Sequence, residues 1–111
     1  MARPTKLTPE RRDRIVKAMG AGNYLEAAAR SAGVHPSTVY RWLERAEREP
    51  DGLYRDFAEE VRRAEADAEV HAVAIVRRAM AEDWKAALAY LERRHPNRLA
   101  AGEAERLDPT P

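Results

Sequence analysis

The chain has no cysteine, which excludes a disulfide framework and thiolate metal ligation. No stretch approaches the ~18 uninterrupted apolar residues of a membrane span, and the start of the sequence lacks a signal-peptide core. No glycine-rich loop precedes a lysine and a Ser/Thr, so a phosphate-cradling nucleotide site is not expected. His35, His71 and His95 are separated without ligand spacing, and no metal site or cofactor is expected from them. Acidic residues are plentiful but sit on faces that read as solvated, and no pair stands out as acid and base. The chain therefore reads as a non-enzyme, in the cytoplasm.

What is present is a helix-forming mixture. Of 111 residues, 35% are charged and 44% hydrophobic, with Ala, Arg, Glu and Leu prominent, a composition that favours helix. The net charge of +1 hides an asymmetry. Residues 1–48 hold ten Lys/Arg against five Asp/Glu, and residues 49–111 hold ten against fourteen. A basic head on an acidic body fits nucleic-acid binding by the first and protein binding by the second, although two well-solvated sets of helices would also give it.

Residues 1–7 read as a loose basic arm carrying Arg3 and Lys6. Thr8-Pro9 is a helix start, a hydroxyl N-cap followed by proline at the first helical position. Ile15, Val16 and Met19 form the first buried stripe, and Gly20-Ala21-Gly22-Asn23 ends that helix. Asn23 reads as the cap of a second helix over residues 24–32, with Leu25, Ala28, Ala29 and Ala32 inward and Gly33 stopping it. Pro36 opens a third helix whose apolar stripe is Val39, Trp42, Leu43 and Ala46. The turn at residues 49–52 (EPDG) reads as a domain boundary. A long helix over residues 53–80 would span ~42 Å, with Phe57, Val61, Ala64, Ala68, Ala72, Ile75 and Ala79 on one face. Residues 70–76 (VHAVAIV) are apolar almost all round, so that stretch calls for cover on several sides. Asp83 caps a last helix with Trp84, Leu88 and Leu91 in register, ended by His95-Pro96.

The fold expectation is all-α: a three-helix helix-turn-helix head, a long helix and a shorter antiparallel helix. The domains read as 1–49 (head with basic arm), 53–95 (helical hairpin for oligomerisation) and 96–111 (flexible tail). A lone hairpin would bury Phe57, Val61, Ile75, Trp84, Leu88 and Leu91 while leaving other sides of the long helix wet. Val61, Ala68, Val70, Val73, Ile75, Val76 and Met80 are therefore the expected contacts between copies.

The functional motif is a set of constraints at fixed spacing. A small residue is needed where the third helix crosses the second, and Ala29 stands there. Four residues on, the turn needs a residue tolerant of positive φ, and Gly33 supplies it. Val34 plugs the corner, and Val39 and Trp42 are buried six and nine residues after the glycine. This pattern places the exposed start of the third helix in the major groove of double-stranded DNA. The candidate contacts are His35, Ser37, Thr38, Tyr40, Arg41 and Arg45, with Arg41 best suited to a bidentate guanine contact. Arg3 and Lys6 suit the backbone or the minor groove. Glu44 reads as a solvated residue, unfavourable toward phosphates.

The run KLTPERRDRIVKAMGAGNYLEAAARSAGVHPSTVYRWLERAE resembles the homeodomain-like helix-turn-helix of phage small terminase subunits. YRDFAEEVRRAEADAE and DWKAALAYLERRHPNR resemble that family too, so the likeness spans about residues 6–98. The resemblance implies a DNA-binding adaptor that recognises viral genome DNA in the bacterial host, recruits the large terminase subunit and assembles into a ring. Two other readings stand beside it. One is a transcriptional regulator or transposase-type DNA-binding module; the other is a helical scaffold whose head binds protein.

Overall fold

Among the described residues five helices follow one another in chain order. The computed structural model describes residues 5–97. The helices are α1 (Pro9–Gly20), α2 (Leu25–Ser31), α3 (Pro36–Arg48), α4 (Leu53–Met80) and α5 (Trp84–Arg94). Two compact units divide within α4, Met1–Glu69 and Val70–Pro111.

In the first unit, Thr8 caps α1 by accepting from the Arg11 N–H at 3.3 Å, and Pro9 occupies the first turn. Arg11 also donates from its guanidinium to the Lys6 carbonyl at 2.8 Å, and the Thr8 N–H, which the acidic residue of a capping box would accept from, bonds that same carbonyl at 3.0 Å. The α1–α2 and α2–α3 turns are Schellman motifs, in which a left-handed residue lets two late N–H groups bond back to the helix end. Gly22 (φ 95°) and Gly33 (φ 74°) supply that conformation. At the second turn the Gly33 N–H bonds Arg30 O and the Val34 N–H bonds Ala29 O, both at 3.0 Å. Asn23 differs from expectation: its side chain donates to Ala18 O at 3.0 Å, closing α1, and Tyr24 is the N-cap position of α2 with no side-chain bond. An amide has a donor for an orphan carbonyl as readily as an acceptor for an orphan N–H, and here the carbonyl wins.

The core of this unit joins Leu7, Ile15, Met19, Ala28, Ala29, Val34, Val39, Trp42 and Ala46 to Tyr54, Phe57, Ala58, Val61 and Ala64. The Trp42 and Phe57 rings meet edge-on, centroids 5.8 Å apart and planes at 88°, the geometry aromatic quadrupoles favour. Arg12 of α1 lies 3.7 Å from Glu60 of α4. Two sequence expectations are thereby corrected. The compact unit does not end at the turn of residues 49–52: it runs to Glu69, and Phe57 and Val61 belong to the head's core. The arm is not loose up to residue 7, because Leu7 is buried and Thr5 meets the Tyr54 hydroxyl at 2.8 Å.

In the second unit Asp83 accepts from the Lys85 N–H at 2.9 Å and caps α5 as expected. Trp84, Leu88 and Leu91 are each half-buried, as are Val73 and Met80. No residue from 70 to 97 is fully buried. Val70 is 69% exposed and Ile75 53%, so the buried stripe of α4 stops at Ala64 and does not continue through Ala72, Ile75 and Ala79. No helix among the described residues is long and apolar enough to cross a membrane.

Candidate nucleic-acid interface

Helix α3 buries Pro36, Val39, Trp42 and Ala46. Helical geometry then directs Ser37, Arg41, Glu44 and Arg48 straight outward, with Thr38 and Arg45 on one flank and Tyr40 on the other. Ser37, Tyr40, Arg41, Glu44, Arg45 and Arg48 are exposed, and Thr38 is half-buried. Ala29 is fully buried beneath the crossing and Val34 plugs the corner, so every constraint of the motif is met in three dimensions.

The structure gives these side chains different jobs. His35 is the N-cap of α3: its Nδ1 accepts from the Ser37 N–H at 3.1 Å and lies 2.8 Å from Ser37 Oγ. Accepting through Nδ1 places the ring's N–H at Nε2, which is left as a donor. His35 thus positions the helix start as well as offering that donor. Tyr40 donates to Glu26 of α2 at 2.5 Å. That bond holds the Glu26 carboxyl below its ordinary range and pushes the Tyr40 phenol up. Tyr40 is therefore tied to α2 and reaches a phosphate only by leaving Glu26.

Arg45 is also engaged. Its Nε lies 2.6 Å from Glu49 Oε1, and its guanidinium stacks 4.3 Å from the centroid of the Tyr54 ring. The Glu49 bond raises its already high pKa further. Tyr54 in turn meets Thr5, whose Oγ1 accepts from the Leu7 N–H at 3.1 Å. The first turn of α4 thus links the residues before α1 to the end of α3, a connection no short-range sequence pattern signals.

One open groove gathers the pieces. Lys6, Thr38, Arg41, Glu44, Arg45 and Arg48 line it, with buried Trp42 and Tyr54 beneath. Four cations against one carboxylate make it a phosphate-attracting surface. Arg48 was missed by sequence reasoning, although Arg41, Arg45 and Arg48 stand at helical spacing on adjoining lines of α3. Arg41 and Arg48 have no ion-pair partner among the described residues, so both are available to DNA. Arg3 lies outside the described residues. Of the expected inter-copy contacts, Val61 is buried in the head's core and is removed from that set. Ala68, Val73 and Met80 are half-buried, and Val70, Ile75 and Val76 are exposed. His35, His71 and His95 fall on separate elements.

No curated protein and no solved structure gives a significant match to the chain. A family model described as Transposase, of the helix-turn-helix kind, matches residues 1–70. That match covers more than half of the 111 residues and includes every element of the head. The chain belongs to this helix-turn-helix transposase family of DNA-binding proteins.

Proposed function

We propose that the protein is a DNA-recognition subunit that performs no catalysis of its own. Helix α3 enters the major groove of duplex DNA, the Lys6 side of the head tracks the backbone, and copies associate through the apolar residues between Val70 and Met80. The observation that carries this reading is the outward face of α3. It is a line of Ser37, Arg41, Glu44 and Arg48 beside a groove with four cations. Arg41 offers the planar fork that pairs with guanine O6 and N7; Lys6 suits phosphates, as does Arg48 at the C-terminal end of α3, beyond the N-terminal residues that meet the bases.

The family match favours a transposase-type DNA-binding module. A phage small terminase, acting in the bacterial host with a large terminase subunit, is the second reading. It is favoured by the likeness of residues 84–96 to that family, beyond the matched segment. It is also favoured by the exposure of Val70 and Ile75 at 69% and 53%, which invites cover by further copies. Light scattering and a DNA titration at several salt concentrations separate the readings. Steeply salt-dependent DNA binding by an assembly larger than a dimer supports the terminase. The same binding by a monomer or dimer supports the transposase-type module. Salt-independent or absent binding rejects both in favour of a protein-binding scaffold.

A further inference from the structure

Glu44 is the anomaly of the proposed DNA-binding face. It stands on the outward line of α3 between Arg41 and Arg48 and borders the same groove as Lys6 and Arg45. Glutamate four residues before arginine is the favourable order for a helix ion pair. Yet Arg45 closes on Glu49 at 2.6 Å, while Glu44 pairs with neither Arg41 nor Arg48 among the described residues. A free carboxylate on a face turned toward DNA would, by charge alone, weaken binding to every DNA sequence.

Position resolves the conflict. A helix lying in the major groove has phosphates along both flanks and base edges in front of its outermost line. The buried set Val39, Trp42 and Ala46 puts Glu44 on that outermost line, with Thr38 and Arg45 on one flank and Tyr40 on the other. A carboxylate only accepts hydrogen bonds. Among the major-groove edges, cytosine presents its N4 amino group, whereas adenine presents its N6 amino group beside the N7 acceptor, which repels a second carboxylate oxygen. The geometry points to Glu44 as a specificity-determining residue that accepts from cytosine N4, beside the base pair read by Arg41. Its charge serves selection: paired with cytosine it is satisfied, and against any other base it is an unpaired anion in a field of phosphates. This inference rests on the DNA-binding reading above.

The test is selection of binding sites from a randomised duplex pool by the wild-type protein, Glu44→Ala and Glu44→Gln, with sheared genomic DNA as the non-specific reference. Glu44 is exposed, so the variants fold, which circular dichroism checks. The wild-type pool should converge on a cytosine at one position, with guanine nearby. Glu44→Ala should lose that one preference, by about tenfold in discrimination, keep the guanine, and bind genomic DNA more tightly. Glu44→Gln should move the preference to adenine, the base whose N6/N7 edge suits an amide. If Glu44→Ala selects the same cytosine while binding all DNA more tightly, Glu44 is only a repulsive charge and the inference falls. If the wild type binds neither pool nor genomic DNA at low salt, the DNA-binding reading itself fails, a result distinct from the first.

Discussion

The two halves of α4 differ in a way composition alone would invert. Between Leu53 and Ala64 the helix carries many charges, yet Tyr54, Phe57, Ala58, Val61 and Ala64 are buried. Between Val70 and Met80 it is far more apolar, and nothing is buried. The first half places its apolar residues at helical spacing against a surface already built by α1 and α3, and the Trp42–Phe57 contact seals it. The second spreads its valines and alanines around the helix, so no one neighbouring element covers them all. Burial follows the match between a stripe and a partner, not the number of apolar residues.

That contrast breaks most readily at Phe57. Phe57→Ala should cost roughly 3–5 kcal/mol, enough to unfold a head of this size, whereas Ile75→Ala in the other half should change stability by about 0.5 kcal/mol or less. Thermal melts followed by circular dichroism decide between them. If the two substitutions cost the same, the head does not extend into α4.

Capping sharpens the comparison at a smaller scale. Thr8→Ala removes the Arg11 N–H bond and should cost the head about 1 kcal/mol, while Asp83→Ala, the equivalent loss at α5, should leave the head's melting unchanged. Gly33→Ala belongs with the first. Open space surrounds the position, so its cost of about 1 kcal/mol or more comes from the positive φ alone.

Val73→Glu should leave the head's melting and its DNA affinity as they are, while lowering the mass seen by light scattering. A wild-type protein that is monomeric at high concentration contradicts the association assigned to this half.

The smallest effect concerns the Tyr40–Glu26 bond, which is exposed. Glu26 is lowered, so its contribution is present above the ordinary glutamate range and is lost as pH falls through its lowered value. Tyr40 is raised, so its contribution is present below the ordinary phenol range and is lost as pH rises through its raised value. The difference in melting temperature between wild type and Tyr40→Phe should therefore be flat across neutral pH and shrink at both extremes. A difference that varies across neutrality would mean another group is involved.

The head was legible in the sequence because its constraints are local. Thr8-Pro9, Gly33 and Pro36 each act within one turn, and Ala29, Val34, Val39 and Trp42 follow from fixed spacing. What escaped reading was tertiary. Nothing near Phe57 tells which neighbour its stripe will meet, so the first half of α4 read as a hairpin. Tyr54 bridges Thr5 and Arg45 across 49 and nine residues of sequence. Within the site, Arg41 read as an outward residue of α3, and it is exposed. The engagement of Tyr40 with Glu26, of Arg45 with Tyr54 and of His35 with Ser37 depended on side-chain directions that spacing leaves open. Arg48 was legible as the next outward position after Arg41 and Glu44.

The most direct test of the central claim, that the outward face of α3 reads duplex DNA, is the salt dependence of binding for the wild type, Arg41→Ala and Arg48→Ala. Titrations use a selected duplex and genomic DNA side by side. For the wild type, the logarithm of affinity should fall steeply and linearly with the logarithm of salt. Arg41→Ala should cost about 1–3 kcal/mol on the selected duplex and much less on genomic DNA. Arg48→Ala should weaken both alike and reduce the slope by about one. An Arg41→Ala protein that binds both DNAs like the wild type at low salt would contradict the account, because the line it occupies on α3 would then not face DNA.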